Sequence, residues 1–156
     1  MGCRVSRGVR VFRGSSTAKI DAKGRFKVPT DFRRVLEQEW GTRVFVTSVV
    51  GDAALFYPLA VWQGIEQRLM QLPSNDRARQ KFLRRVMYYG QEGEIDGQGR
   101  VVLQPILREA ASLDGDVVVC AAGDHLQIWN RERFEEGLSD EPFTDADFEA
   151  LAERGI

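Results

Sequence analysis

Histidine and cysteine are nearly missing from this chain. The only histidine is His125, and the two cysteines, Cys3 and Cys120, stand far apart. No spacing among them matches a zinc site, and a Cys–His or Ser–His catalytic pair has little to be built from. Two lone thiols suit a reducing cytoplasm better than a disulfide framework. No stretch reaches the roughly 18 uninterrupted apolar residues of a membrane helix. Arg4, Arg7, Arg10 and Arg13 are followed by no apolar run, so no secretory signal is expected. With 15 glycines and 5 prolines the chain is also too poor in both for a low-complexity linker. What remains is ordinary globular material. At 156 residues, 43% hydrophobic and 29% charged, it suits one domain or two small units sharing a core.

Charge of one sign is scarce in each part of the chain. Residues 1–100 carry 18 Lys and Arg against 10 Asp and Glu, a surplus of eight positive charges. Residues 101–156 carry 4 against 13, a surplus of nine negative charges. A basic front and an acidic tail suggest a polyanion partner at one end, but on charge alone a solvated surface of mixed sign is the better reading, because a local excess of this size is common. The sequence pI of about 5.9 argues against unselective coating of nucleic acid and leaves room for a discrete basic face.

The chain repeats itself once. Lys19–Arg33 (KIDAKGRFKVPTDFR) aligns without a gap with Glu94–Arg108 (EIDGQGRVVLQPILR) at an offset of 75. Ile20 matches Ile95, Asp21 matches Asp96, Gly24 matches Gly99, Arg25 matches Arg100 and Arg33 matches Arg108. RVFVT at Arg43–Thr47 then resembles DVVVC at Asp116–Cys120. Two copies make a pseudo-twofold pair rather than a solenoid. Each half is near the lower size limit for independent folding, so the halves should pack on each other.

Each copy reads as a short strand, a turn and a second strand, giving a β-hairpin or a closely related loop: 16–20, Asp21–Gly24 and 25–28 in the first. Gly24 stands where positive φ is tolerated. A short helix is expected from Pro29 to Leu36, capped by Thr30 or Asp31, followed by strands over 43–50 and 54–57. Val61, Ile65, Leu69 and Leu72 predict a helix ending at Pro73. Ser74 or Asn75 should cap the next helix, whose apolar positions are Ala78, Phe82, Leu83, Val86 and Met87. Its arginines read as a solvated face. The second copy predicts a helix over 106–111, strands over 117–121 and 126–129, and a helix capped by Asn130. Thr144 and Asp147 have capping-box spacing for a last helix in the acidic tail. Trp62 and Trp129 read as matched packing anchors, and His125 as a surface or structural residue.

The repeated turn carries the candidate chemistry. D-x-x-x-R spacing lets Asp21 and Asp96 accept bonds from turn N–H groups and pair with Arg25 and Arg100. Asp21, Gly24, Asp96 and Gly99 are therefore expected to shape the loops. Arg25 and Arg100 point to function, because a turn has little need of a guanidinium at a repeated position. A planar fork of donors fits a guanine edge or a phosphate. Lys23 at the first loop tip adds a phosphate contact. Gln98 at the second can hydrogen-bond a base or phosphate but neutralises no charge. No catalytic constellation, metal site or cofactor site is expected.

FRG at 12–14, DAKGRFKVP at 21–29, LFYP at 55–58 followed by Trp62, LP at 72–73, DGQGRVVL at 96–103 and GDHLQIWN at 123–130 together resemble the MraZ family. The resemblance runs from Phe12 to about Glu136. It implies an α+β fold in which a tandem pair of swapped-hairpin, AbrB-like β units packs as a pseudo-dimer with connecting helices. The implied division is a basic extension over 1–11, repeats over 12–72 and 91–137, a connecting helix over 73–90, and an acidic tail over 138–156 that is helical or disordered. It further implies a cytoplasmic, nucleoid-associated regulator without a cofactor. Such a regulator is a ring homo-oligomer binding repeated boxes of double-stranded DNA upstream of division and cell-wall genes, through loops 21–25 and 96–100. It has neither membrane nor small-molecule partners. A second reading is a protein-interaction or antitoxin-like module of the same superfamily, using the tail as its partner segment. Family members begin just before FRG, so a translation start at Val11 from a GTG codon is an expectation that the mass of the native N-terminus tests.

Overall fold

A computed structural model of the chain describes residues 11–156, so residues 1–10 of the basic extension lie outside the described residues. The first repeat contains β1 (Ser15–Ile20), β2 (Arg25–Lys27), α1 (Thr30–Glu39), β3 (Arg43–Thr47), β4 (Ala54–Pro58) and α2 (Leu59–Met70). Helix α3 (Arg77–Tyr89) leads to β5 (Gln91–Glu94), β6 (Arg100–Val102), α4 (Pro105–Ala111), β7 (Gly115–Ala121), β8 (Leu126–Asn130), α5 (Arg131–Asp140) and α6 (Asp145–Ala152).

All eight strands join one antiparallel sheet in the order β5-β3-β4-β8-β7-β1-β2-β6. Its two end strands, β5 and β6, are joined by the turn at Asp96–Gly99, so the sheet curls into a near-barrel. The order is symmetric under exchange of the repeats. β1 pairs along its whole length with β7 of the other repeat, and β5 pairs with β3 in the same way. β2 pairs with β6, and β4 with β8. The expected hairpin therefore opens at once: β1 and β2 share the single register pair Ile20–Phe26 before each strand leaves for the other repeat. Because of this exchange the main core is shared by both repeats.

Strand alternation sends Ile20, Phe26 and Val101 inward, where they join Phe32, Leu36, Leu103, Leu107 and Ile128 in one buried cluster fed by both repeats. A second, smaller cluster holds α2 and α3 against β3. Its centre is Trp62, 1% exposed and stacked on Phe45 with ring centroids 4.6 Å apart, and Val86. The Thr47 hydroxyl donates to the Val86 carbonyl at 2.7 Å and ties β3 to α3.

Several local expectations are corrected. α1 begins at Thr30 with Pro29 at its N-cap, and no side chain caps it; proline's fixed φ starts the helix instead. β3 stops at Thr47, because the Ser48 hydroxyl turns inward to accept from the Gly51 N–H at 2.9 Å. α2 ends at Met70, and Leu72, expected on its buried stripe, is 43% exposed. Asp76 rather than Ser74 or Asn75 caps α3, accepting from the Arg79 N–H at 2.8 Å. Ala78 and Met87 are exposed, so α3 buries a narrower stripe than its composition suggests. Trp62 and Trp129 are not equivalent. Trp129 lies in β8 where Tyr57 lies in β4, and the repeated feature is a pair: Tyr57 with Trp62 at 5.3 Å and Trp129 with Phe134 at 6.2 Å. The tail is helical. Asn130 caps α5 and the Thr144–Asp147 capping box forms at the head of α6.

Candidate nucleic-acid interface

The two D-x-x-x-R turns are built alike. The Asp21 carboxylate accepts from the N–H groups of Lys23 and Arg25, both at 2.9 Å, while Gly24 N–H closes the turn on the Asp21 carbonyl at 2.9 Å. Asp96 repeats this with Gln98 and Arg100 at 2.9 Å, and Gly99 closes on Asp96 at 2.9 Å. Gly24 and Gly99 sit at φ +78° and +79°, where a side chain is strained. Bonds from the Arg25 N–H first, then from its side chain and the Lys23 N–H, hold the Asp21 carboxyl below the ordinary carboxylate range. Asp96 is lowered likewise, chiefly by the Arg100 N–H. Both aspartates are thus charged loop-shapers at neutral pH.

The arginines differ. Arg25 Nε donates to Asp21 Oδ2 at 2.7 Å. Arg100 Nε lies 3.5 Å from Asp96 Oδ2, is shielded from solvent and makes no hydrogen bond. In both, the outer guanidinium nitrogens carry the fork that can meet an acceptor pair.

The loops lie at opposite ends of one two-stranded ribbon. In β2 and β6, Arg25 faces Val102, Phe26 faces Val101 and Lys27 faces Arg100. Phe26 and Val101 point inward, so Arg25, Lys27, Arg100 and Val102 share the outer face. Arg25 and Arg100 are diagonal neighbours on that face, with a separation typical of about 7–8 Å. Crossed backbone bonds lock the ribbon to the turns: Val28 N–H donates to the Gly99 carbonyl and Leu103 N–H to the Gly24 carbonyl, each at 2.9 Å. Lys23 and Gln98 sit at the two exposed tips, outside the ribbon.

Two further residues belong to this assembly and are not singled out as site residues by the sequence. Arg33 of α1 donates to the Gly97 carbonyl at 3.2 Å and lies across Gly99 in the opposite loop. Arg108 of α4 lies across Gly24 and donates through Nε to the Leu103 carbonyl at 2.9 Å. Their match at the repeat offset was the signal. Sequence alone does not reveal that each covers the other repeat's turn. His125 stands apart, stacked on Tyr57 at 4.4 Å and 3.0 Å from Asp124, in the structural role expected of it. Burial, with Asp124 beside it, pushes the Tyr57 phenol up. No group of metal-ligating side chains occurs among the described residues.

The family model for the MraZ protein, described as antitoxin-like, matches residues 11–85 and again 89–156. The likeness thus continues past Glu136, where the sequence motifs end. A protein from Acidobacterium capsulatum named transcriptional regulator MraZ is 45% identical over 146 residues, covering 94% of this chain and all of its own. One of the same name from Koribacter versatilis is 42% identical over 147 residues, with the same coverage. Another from Syntrophobacter fumaroxidans is 34% identical over 128 residues, 82% of this chain and 85% of its own.

Proposed function

Because the chain belongs to the MraZ family, we propose that it is a sequence-specific DNA-binding transcriptional regulator that reads duplex DNA with the β2/β6 ribbon and its two flanking loops. The observation that carries this reading is the placement of Arg25 and Arg100 as diagonal neighbours on the outer face of one ribbon. A two-stranded ribbon fits the major groove, and an arginine fork matches the O6 and N7 acceptors of guanine. Arg25 and Arg100 are assigned base contacts, and Lys23 and Gln98 the flanking phosphates or base edges. Asp21, Gly24, Asp96 and Gly99 hold the loops. The relatives bear a regulator's name.

One subunit offers few charge contacts. Several subunits in a ring, each on one of a series of repeated boxes, gain affinity through effective concentration. The ring, the boxes and a nucleoid location in the cytoplasm are part of the proposal. No helix among the described residues is long and apolar enough to cross a membrane. Binding of the full chain to a duplex from the region upstream of its own gene, beside scrambled DNA and across a salt series, tests the reading. The upstream duplex should win, and Arg25→Ala and Arg100→Ala should each cost about 1–3 kcal/mol of that discrimination. Equal affinity for both duplexes overturns sequence-specific reading. Failure to bind either turns attention to the antitoxin-like alternative and the exposed Phe143 and Phe148 of the acidic tail.

A further inference from the structure

We propose that the cleft between β1 and β2 is a phosphate site for the polynucleotide backbone, present in the first repeat and abolished in the second. The identity of the polyanion rests on the DNA-binding reading above; the cleft rests on its own geometry. β1 and β2 part after Ile20–Phe26 because β1 follows β7 and β2 follows β6. The parting opens a cleft of about 590 Å³ whose polar lining includes Thr17, Lys19, Arg25, Lys27 and Arg100, with the Asp21 carboxylate, already held by Arg25, at its edge.

Extending the Ile20–Phe26 register by one residue sets Lys19 opposite Lys27, and Lys27 faces Arg100 across β2 and β6. The strands have parted by that point, so Lys19 and Lys27 stand on the two walls of the cleft, and with Arg100 three cations line it. Lys27 and Arg100 are directly opposite, and like charges so placed are destabilising unless an anion sits among them. Asp96, 3.5 Å from Arg100, and Asp21, 2.7 Å from Arg25, answer the arginines, and the two lysines are left with little relief. Asp116 is 3.9 Å from Lys19, and the two side chains are 60% and 82% exposed, so solvent weakens the pair. Lys27 has no ion pair among the described residues. The N-terminus of α1, uncapped by any side chain, starts at Thr30 on the cleft wall. A phosphodiester oxygen would take its bonds from the Lys19 and Lys27 ammonium groups and the Thr17 hydroxyl.

The second repeat inverts this chemistry. At the same offset, Glu92 replaces Thr17, Glu94 replaces Lys19 and Val102 replaces Lys27. Glu94 accepts from the Thr42 hydroxyl at 3.0 Å, and Glu92 pairs with Arg43. An anion meets carboxylates and a methyl surface there. The pseudo-twofold relation of the backbone is thus broken in charge, so each subunit grips the DNA backbone at the Lys27–Arg100 end of the ribbon and not at the Val102–Arg25 end. That fixes the direction in which a subunit sits on the duplex.

The test gives the full chain the second repeat's residues, Lys19→Glu with Lys27→Val, and also the milder Lys19→Gln with Lys27→Gln. Lys81→Gln on α3 controls for loss of charge alone. Binding to the upstream duplex is measured against salt. In the cleft variants the slope of log K against log salt should shrink by about one for each phosphate that is no longer neutralised. In the control it should stay unchanged. Wild-type affinity and slope in the Gln variant, or an equal change in the control, overturns the proposal. Separately, backbone amide shifts of the DNA-free protein are followed as inorganic pyrophosphate is added. Shifts at Thr17, Lys19 and Lys27 without matching shifts at Glu92, Glu94 and Val102 support the cleft, and shifts at both sets or at neither overturn it. If no duplex binds, the DNA reading fails and the pyrophosphate titration still decides the cleft.

Discussion

The side chain of Arg108 fills the space that a Cβ on Gly24 would occupy: such an atom would stand 2.6 Å from both Nε and Cζ of that arginine. The relation is repeated with the halves exchanged, where a Cβ on Gly99 would lie 3.0 Å from Nη1 and 3.1 Å from Cδ of Arg33. Each turn glycine is needed twice, for a φ near +80° and for the arginine laid over it. Gly24→Ala should therefore cost about 1–2 kcal/mol in backbone strain. The displaced guanidinium should also lose its bond to the Leu103 carbonyl. Urea unfolding of Gly24→Ala and Gly99→Ala measures both costs. A midpoint unchanged from the parent would show that the turns relax freely.

Arg33 reaches across the internal twofold, so its removal should be felt in the other repeat. Arg33→Ala should speed amide exchange at Gln98 and Gly99, whose turn loses the bond to Gly97, and leave Lys23 and Gly24 near the parent rates. Equal effects on both loops would mean that Arg33 supports the sheet in general rather than the opposite turn.

The turn aspartates give stability a definite pH dependence. Backbone N–H donors lower both carboxyls in the folded state, with Arg25 leading at Asp21 and Arg100 at Asp96. A folded-state value below the unfolded one contributes stability that is fully present above the unfolded value and is lost as pH falls through the folded one. Stability should accordingly drop on acidification below about pH 4. The Asp21→Asn and Asp96→Asn variants should show a shallower drop over the same range. Unfolding midpoints taken at a series of acidic pH values check this; a drop of the parent's steepness in both variants would place the acid sensitivity elsewhere.

How far the sequence could be read depended on whether a feature was local. The turns are local: Asp, Gly and Arg at fixed spacing define a bond pattern, and Asp21 and Asp96 form it as expected. The capping box at Thr144 is equally local. Strand partners are not. The spacing of Ile20 and Phe26 suits a simple hairpin, and only the pairing of β1 with β7 shows that the strands exchange repeats. The same exchange hid Arg33, Arg108 and the facing of Lys27 and Arg100, since each depends on a neighbour about 65–85 positions away in sequence, a separation set by the crossed pairing of sheet strands. Helix ends failed for another reason. Ser74, Asn75 and Asp76 are all competent caps, and composition does not choose among them.

That choice can be measured. Only Asp76 accepts from a first-turn N–H of α3, so Asp76→Ala should cost about 1 kcal/mol, whereas Ser74→Ala and Asn75→Ala should change stability much less. Comparable losses at Asn75 and Asp76 would move the helix start by one residue.

Trp62 poses the sharpest question about packing. Its ring is stacked on Phe45 and touches Tyr57, yet its indole Nε1 is buried without a hydrogen-bond partner. The matching aromatic of the second repeat is Phe134, which has no such donor. Trp62→Ala removes the anchor of the smaller cluster and should cost about 3–5 kcal/mol. Trp62→Phe keeps an aromatic against Phe45 and sheds a buried donor whose desolvation costs about 1–3 kcal/mol, which offsets part of the lost volume. The Phe variant should therefore lie much closer to the parent than the Ala variant in denaturant unfolding. If the two variants lose stability equally, shape at this position outweighs the unsatisfied N–H, and the indole fits its site more closely than the aromatic pair of the second repeat suggests.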